Sequence, residues 1–521
     1  MRNAVVGVIL ALLTASPAFA HAVLVASQPA DRAMIPQPPQ DITLTFNEPV
    51  SPVALVLVRP DGGSAKMNDV TTKDQTLTIA VPGLANGTHL LSWRVISADG
   101  HPVSGTIMFS VGEVSAEPPM QPSFQMDRGL LVAIWLCKVA LYCGLMFGIG
   151  GAFYVSWIAA TPLPAGYTAW LSAIVIGGII ASVFSVGFQG LDVAGLPLSE
   201  LGRPAVWLAG FQTSYGVTAA TALFALMLGL AALHFCPFRR ITAALALAGL
   251  GGAIAASGHA VTTPPQVMTR AAVFLHAVSV AFWIGALIPL LSGLRQRRHE
   301  DLQRFSRAVP TAIAILVATG VILSAVQIET PSAIWTTAYG AVWCAKICAV
   351  LILLGLGAYN RYGLTARAAG GDAASASRLA AIIRTELVIA LAILCVVAAW
   401  RFTPPPRALN AAAAIPVQVH IHTAKAMADV KIDPSDHGSR TVMVAIWDGN
   451  FAPLAAKEVT LAFAKPDAGI EPLLYSARFV GDSTWAADGV RLPIKGRWRV
   501  TIKILVDDFT AMSLDEEITL Q

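Results

Sequence analysis

Ala18-Phe19-Ala20 followed by His21 is the first place in this chain where residue type and position combine into chemistry. Arg2, an apolar run from Ala4 to Leu13 and the small-x-small triplet have the layout of a secretory signal peptide, with cleavage expected after Ala20. Cleavage there leaves a free α-amine on His21. The amine and the imidazole Nδ1 can close a chelate ring on one metal ion, and nitrogen donors of these two kinds suit copper(II). Further along, Asp99 and His101 stand two residues apart, so in an extended segment their side chains face the same way. Together with His21 they supply three nitrogens and one oxygen, a tetragonal copper(II) set. Asp-x-His is a common pair and does not by itself mark a metal site.

The elements that must position these groups read as β structure. Ile42, Leu44 and Phe46 alternate with Asp and Thr, Val53 to Val58 is a valine-rich run, and Leu91, Trp93 and Val95 share one strand face. Turns are marked by Pro60-Asp61-Gly62-Gly63, Asn86-Gly87 and Asp99-Gly100. A small β-sandwich or barrel is expected, and it contains no cysteine. His89, on the Trp93 face, reads as a packing residue. The segment HAVLVASQPAD from residue 21, FNEPV at 46–50 and WRVISADGHPVSG from 93, ending in FSVG, resemble the periplasmic copper-binding CopC family over residues 21–113. That resemblance implies a copper(II) site made of the His21 amine and ring, Asp99 and His101.

With 55% hydrophobic and only 13% charged residues among 521, the chain is too apolar to be wholly soluble, and the apolar excess falls at 129–402. Stretches near 129–157, 169–188, 214–235, 241–258, 271–293, 308–328, 339–359 and 383–401 approach or exceed the roughly 20 residues needed to cross a bilayer. An eight-helix transmembrane bundle is expected. Arginines collect after the third, fifth and seventh stretches, at 239–240, 295–307 and 361–384, while the alternate loops hold little beyond Arg203 and Arg270. Basic loops stay in the cytoplasm, which places both ends of the chain outside. The net charge of +4 is then a topology signal and implies no nucleic-acid partner.

Polar groups inside a membrane are costly and prompt functional hypotheses. His259 ends the fourth stretch and His276 lies six residues into the fifth, less than roughly 10 Å deeper by helical rise. A short outer loop joins the two, so their imidazoles are expected to meet. Cys344 and Cys348, four apart, share a helix face, and thiolates favour copper(I). Buried cysteine also behaves as a small hydrophobe. Lys138 and Lys346 oppose a simple cation pore; Asp127, Asp192 or backbone carbonyls are candidate partners. The pieces SGHA at 257–260, FLHAVSVAFWIGAL from 274, Arg304-Phe305-Ser306, TAYG at 337–340 and Tyr359-Asn360-Arg361 resemble the membrane family CopD. That likeness implies a copper-handling membrane unit.

After a linker at 403–415, strand-type alternation returns over 416–521, long enough for a β-sandwich. His420 and His422 lie on one strand face with Met427 nearby, a low-ranking candidate copper site beside the reading of a polar edge face. PLAAKEVTL and GRWRVTIKILVDDF resemble the extra C-terminal domain of YcnJ-like fusions of CopC with CopD. The expected protein is therefore multidomain: signal peptide 1–20, CopC-like β domain 21–113, Pro-rich spacer 114–128, CopD-like bundle 129–402 and C-terminal β domain. It is expected at a bacterial inner membrane with both β domains in the periplasm, as a transporter or metal-binding protein and not an enzyme. Its expected partners are the copper ion, the lipid bilayer and, as further candidates, periplasmic copper chaperones or cuproproteins. Import and resistance by sequestration need the same ligands, so direction stays open. A haem-binding electron-transfer protein that reduces copper is the alternative reading, and a copper monooxygenase is disfavoured because Asp99 would fill the open position. No nucleotide-binding loop or catalytic triad is visible.

Overall fold

A computed structural model describes residues 22–520 apart from 82, 98–101, 114, 116–126, 235–236, 257–264, 329, 404–405, 407–415, 424, 435–437, 451, 493 and 495. The signal segment and His21 thus lie outside the described residues.

The first β domain is a two-sheet sandwich. One sheet has the order β1-β3-β7-β6, with β1 Leu24–Gln28, β3 Asp41–Phe46, β6 Val70–Lys73 and β7 Thr76–Ala80. The other has the order β2-β9-β8-β4-β5, with β2 Met34–Ile35, β4 Val50–Val58, β5 Ser64–Lys66, β8 Gly87–Ser97 and β9 Pro102–Val111. Ile42, Leu44 and Phe46 point inward from the first sheet and meet Leu57, Leu91, Trp93 and Phe109 from the second, as alternation requires. Trp93 meets Phe46 edge-on with ring centroids 5.2 Å apart. Across the ladder it faces Gly105, where any Cβ would collide with the indole. His89 is fully buried, its Nε2 bonded to the Ala85 carbonyl at 2.8 Å and its ring stacked on Phe109, which fits the packing role expected of it.

The apolar middle folds into helices α1 Arg128–Trp157, α2 Ala165–Ala194, α3 Ser214–His234, α4 Arg239–Ile254, α5 Gln266–Arg295, α6 His299–Ile328, α7 Ala338–Ala369 and α8 Ala373–Phe402. Among the described residues, seven of these are long and apolar enough to cross a membrane. The fourth expected span is a helix of 16 described residues, below that length, and the residues after it at 257–264 lie outside the described set. α1 and α7 each contain a π-helical turn, at Gly144–Ile149 and Asn360–Thr365. Small residues let the helices approach closely: a Cβ at Gly150 on α1 would collide with the Ala281 carbonyl on α5, and one at Gly144 would stand 2.6 Å from Gly178 Cα on α2.

Arg401 at the end of α8 forms an ion pair with Asp192 on α2 and donates to Gln189 Oε1 at 3.0 Å. Asp127 caps α1 through Gly129 N at 2.8 Å. Asp192 therefore serves Arg401 and Asp127 the helix start, where sequence reasoning offered them to the lysines. Lys138 instead lies 6.0 Å from the Tyr215 ring centroid and Lys346 4.7 Å from that of Trp400.

The C-terminal domain corrects the expected sandwich. Its strands β10 Val417–His422, β11 Ala426–Ile432, β12 Arg440–Asp448, β13 Glu458–Lys465, β14 Ile470–Gly481, β15 Thr484–Val490, β16 Gly496–Asp507 and β17 Thr510–Leu520 form one antiparallel, barrel-like sheet in the order β10-β11-β12-β15-β14-β13-β16-β17. β14 is the reason. Its first part, Ile470 to Ala477, pairs with β13, and its end, Arg478 to Gly481, pairs with β15, so what would be two sheets is one. A single core gathers Val430, Val444, Phe463, Trp485, Trp498 and Ile518.

Candidate functional site

Of the expected copper(II) set, His21, Asp99 and His101 all lie outside the described residues. Their described neighbours are fixed. Val23 N donates to Asn47 Oδ1 of the FNEPV segment at 2.7 Å, and β8 and β9 are antiparallel neighbours up to the pair Ile96 and Pro102.

His276 is described, on α5. Its Nδ1 lies 3.1 Å from Thr319 Oγ1 on α6. The single hydroxyl proton of Thr319 is directed to its own helix, to the Ile315 carbonyl at 2.7 Å. With its hydroxyl so directed, Thr319 can accept from His276, an arrangement that would put the imidazole proton on Nδ1 and the lone pair on Nε2. A metal-binding histidine is held this way, by a second partner that fixes ring and tautomer. Gly320 packs beside the ring: a Cβ there would stand 3.5 Å from His276 Cε1, an ordinary van der Waals contact.

His276 lines a cavity of about 900 Å³ between α5, α6, α7 and α8, which is apolar apart from groups such as Ser324, Gln327, Tyr339 and Lys346. It reaches the end of the bundle where α6 stops and α7 begins. The structure does not bring the other membrane candidates to it. His259 lies outside the described residues, and Cys344 and Cys348 are not in the cavity wall, Cys348 being exposed on the bundle surface. Among the described residues no group of three or more His, Cys, Asp or Glu side chains is placed to hold a metal ion.

A second cavity, of about 430 Å³, lies toward the basic-loop end of the same helices. Trp283 and Leu354 line both cavities and so stand between them. Its polar groups include Ser306, Asn360, Arg361 and Glu386. Asn360 Nδ2 donates to Glu386 Oε1 at 3.1 Å, and Arg361 Nη1 donates to Ser306 Oγ at 2.8 Å. The π-helical turn of α7 begins at Asn360 and re-aims this pair of motif residues, as such turns do at many functional sites. Sequence reasoning named Ser306, Asn360 and Arg361 as motif positions but passed over Glu386. The signal was there: Glu386 is the one carboxylate in the stretch 383–401.

In the C-terminal domain His420 is buried, with Nδ1 2.6 Å from Asp429 Oδ1, and Met427 is also buried. His420 Nε2 has no hydrogen-bond partner. His422 stands opposite Met427 in the β10/β11 ladder, and its side chain lies outside the described set.

The chain joins a β-sandwich to a bundle of membrane-length helices, and known proteins match it part by part. Residues 24–112 match the CopC domain, 126–265 the copper resistance protein D-like N-terminal domain and 299–400 copper resistance protein D. CopC and copper resistance protein D domains thus occur together in this one chain. It is 24% identical to the copper transport protein CutJ of Bacillus subtilis (strain 168), over 95% of each chain. Copper resistance protein C of Xanthomonas campestris pv. juglandis is 38% identical over 112 residues, 19% of this chain and 87% of that protein. CopC from Methylosinus trichosporium OB3b, a solved structure, is 25% identical with a TM-score of 0.17, covering 20% of this chain and 99% of that one.

Proposed function

We propose that the chain binds copper(II) outside the membrane through the His21 amine and ring, Asp99 and His101, and passes it to the His276 cavity for movement across the bilayer. The observation that carries this reading is His276, its Nδ1 engaged by Thr319, in the wall of a large cavity among membrane-length helices. By the arginine bias of the loops, the Glu386 end of the bundle faces the cytoplasm and the His276 end the periplasm. Both β domains are then periplasmic parts of a bacterial inner-membrane protein. Tethering a donor domain to the acceptor raises the local copper concentration to about the millimolar range where the spacer spans the two sites.

The test is copper uptake into vesicles carrying the full chain, beside His276→Ala. Loss of uptake with electron paramagnetic resonance still showing one tetragonal, nitrogen-rich copper(II) at the N-terminal domain supports capture followed by transfer. Undiminished uptake by the variant would refute the path through His276.

A further inference from the structure

Glu386 is the group in the membrane domain for which copper binding has no use. It is 3% exposed on α8, and among the described residues no lysine, arginine or histidine forms an ion pair with it. An ionised carboxylate left alone among apolar helices is costly, and such residues mark ion or proton pathways. The carboxylate and the indole of Trp283 converge on one bare stretch of backbone: a Cβ at Gly357 would stand 3.5 Å from Trp283 Cζ2 and 3.8 Å from Glu386 Oε1. Glu386 thus sits beside the wall that divides the two cavities.

Its partner shows what the site takes. Asn360 Nδ2 donates to Glu386 Oε1, while Asn360 Oδ1 is buried and receives no hydrogen bond. A carboxylic acid and a primary amide are complementary, each with one donor and one acceptor for the other. A proton on Glu386 supplies the donor that Asn360 Oδ1 lacks; the ionised form cannot. Two oxygen donors also suit a hard cation such as the proton better than copper(I), which takes sulfur and nitrogen. Among the groups facing Glu386 across the cavity, α5 contributes Trp283, Leu287 and Leu290, and α6 contributes Ser306 with apolar side chains, none of them charged. From α7 come Arg361 and Tyr362, and Arg361 is engaged by Ser306 and lies 5.6 Å from the Tyr362 ring centroid.

We infer that Glu386, paired with Asn360, is a proton-carrying site of the membrane domain, exchanging its proton through the cavity at the basic-loop end in step with the cargo in the His276 cavity. In each cycle the carboxylate gains one proton to become a neutral acid and loses one to return to its starting state; no electron moves. The identity of the cargo rests on the copper-transport reading, but the proton site does not.

Two measurements on the full chain separate these. Infrared difference spectra of the protein in lipid nanodiscs, taken across pH, should show the carbonyl band of a buried protonated carboxyl that is lost in Glu386→Gln, moved in Glu386→Asp and shifted in Asn360→Ala. In vesicles loaded with a pH-sensitive dye, copper addition should change internal pH with the wild type, and the change should fall to background with Glu386→Gln. A titrating band establishes the proton site even where no copper moves, in which case the transport reading is what fails. Absence of the band, or an undiminished copper-driven pH change in Glu386→Gln, overturns the inference, and loss of copper uptake without any such band makes Glu386 a cargo ligand instead.

Discussion

The ammonium of Lys346 lies 4.7 Å from the ring centroid of Trp400, and Trp400 is in turn stacked on Tyr339 with centroids 5.3 Å apart. A cation in the wall of the His276 cavity is thus held on the face of an indole near the bundle end. Desolvated contacts of this type contribute about 1–2 kcal/mol. Trp400→Leu should lower the unfolding midpoint of the detergent-solubilised protein, and the loss should be smaller in a Lys346→Met background. Equal losses in both backgrounds would mean that the ring and the ammonium do not interact.

Under the proposed function, Thr319 would act on copper through His276, whose Nδ1 it contacts. Thr319→Val removes the acceptor for Nδ1 and frees the imidazole to change tautomer. Losing such a supporting partner costs about 10–100-fold in metal affinity. Copper titration of a form whose N-terminal site is blocked by one extra residue before His21 should show that drop, while Thr319→Ser, which keeps the hydroxyl, should restore most of the affinity.

The seam between α1 and α5 tolerates no side chain at Gly150, where a Cβ meets the Ala281 carbonyl oxygen. Gly150→Val should cost about 3 kcal/mol or more by overpacking. Gly252 on α4 has nothing within 4 Å, so Gly252→Ala is the matched control. Size-exclusion chromatography of fluorescent fusions should show a monodisperse peak for the second variant and aggregate for the first.

Asp372 caps α8: it accepts from the Ser375 hydroxyl at 2.5 Å and from the amides of Ser375 and Ala374, each at 3.2 Å. These bonds, that from the Ser375 side chain foremost, hold its carboxyl below the usual carboxylate range. A depressed carboxylate contributes stability that is fully present above its unfolded pKa of about 3.9 and is lost as pH falls through the lower folded value. Asp372→Ala should therefore be less stable than wild type at neutral pH, and the gap should close in strong acid. A gap that persists unchanged there would assign the effect to something other than the ionised cap.

Much of this architecture is legible without coordinates, because the forces that set it act locally. Alternation at Ile42, Leu44 and Phe46 marks a sandwich face, and arginine placement marks the loops. The orientation of Cys344 and Cys348 was not legible: apart from Lys346, α7 is apolar nearly all round over Ala338–Tyr359, so lipid and protein faces look alike in sequence. The single sheet of the C-terminal domain was hidden for a different reason. Strand periodicity records which side of β14 faces the core but not that its two ends choose different neighbours. Glu386 was readable from cost alone, and its meeting with Asn360 needed the π-helical turn, which leaves no mark in composition.

Trp283 and Leu354, the two side chains common to both cavities, carry an electrical consequence. Apart from the one indole N–H, an indole and an isobutyl group offer water nothing to bond to, so the wall between the two cavities is mostly apolar. With both cavities filled by water in a bilayer, the membrane voltage would fall mainly across that short apolar wall. A charge stepping past it would do so in the steepest part of the field, where the cell's own battery has the greatest leverage on the direction of the step.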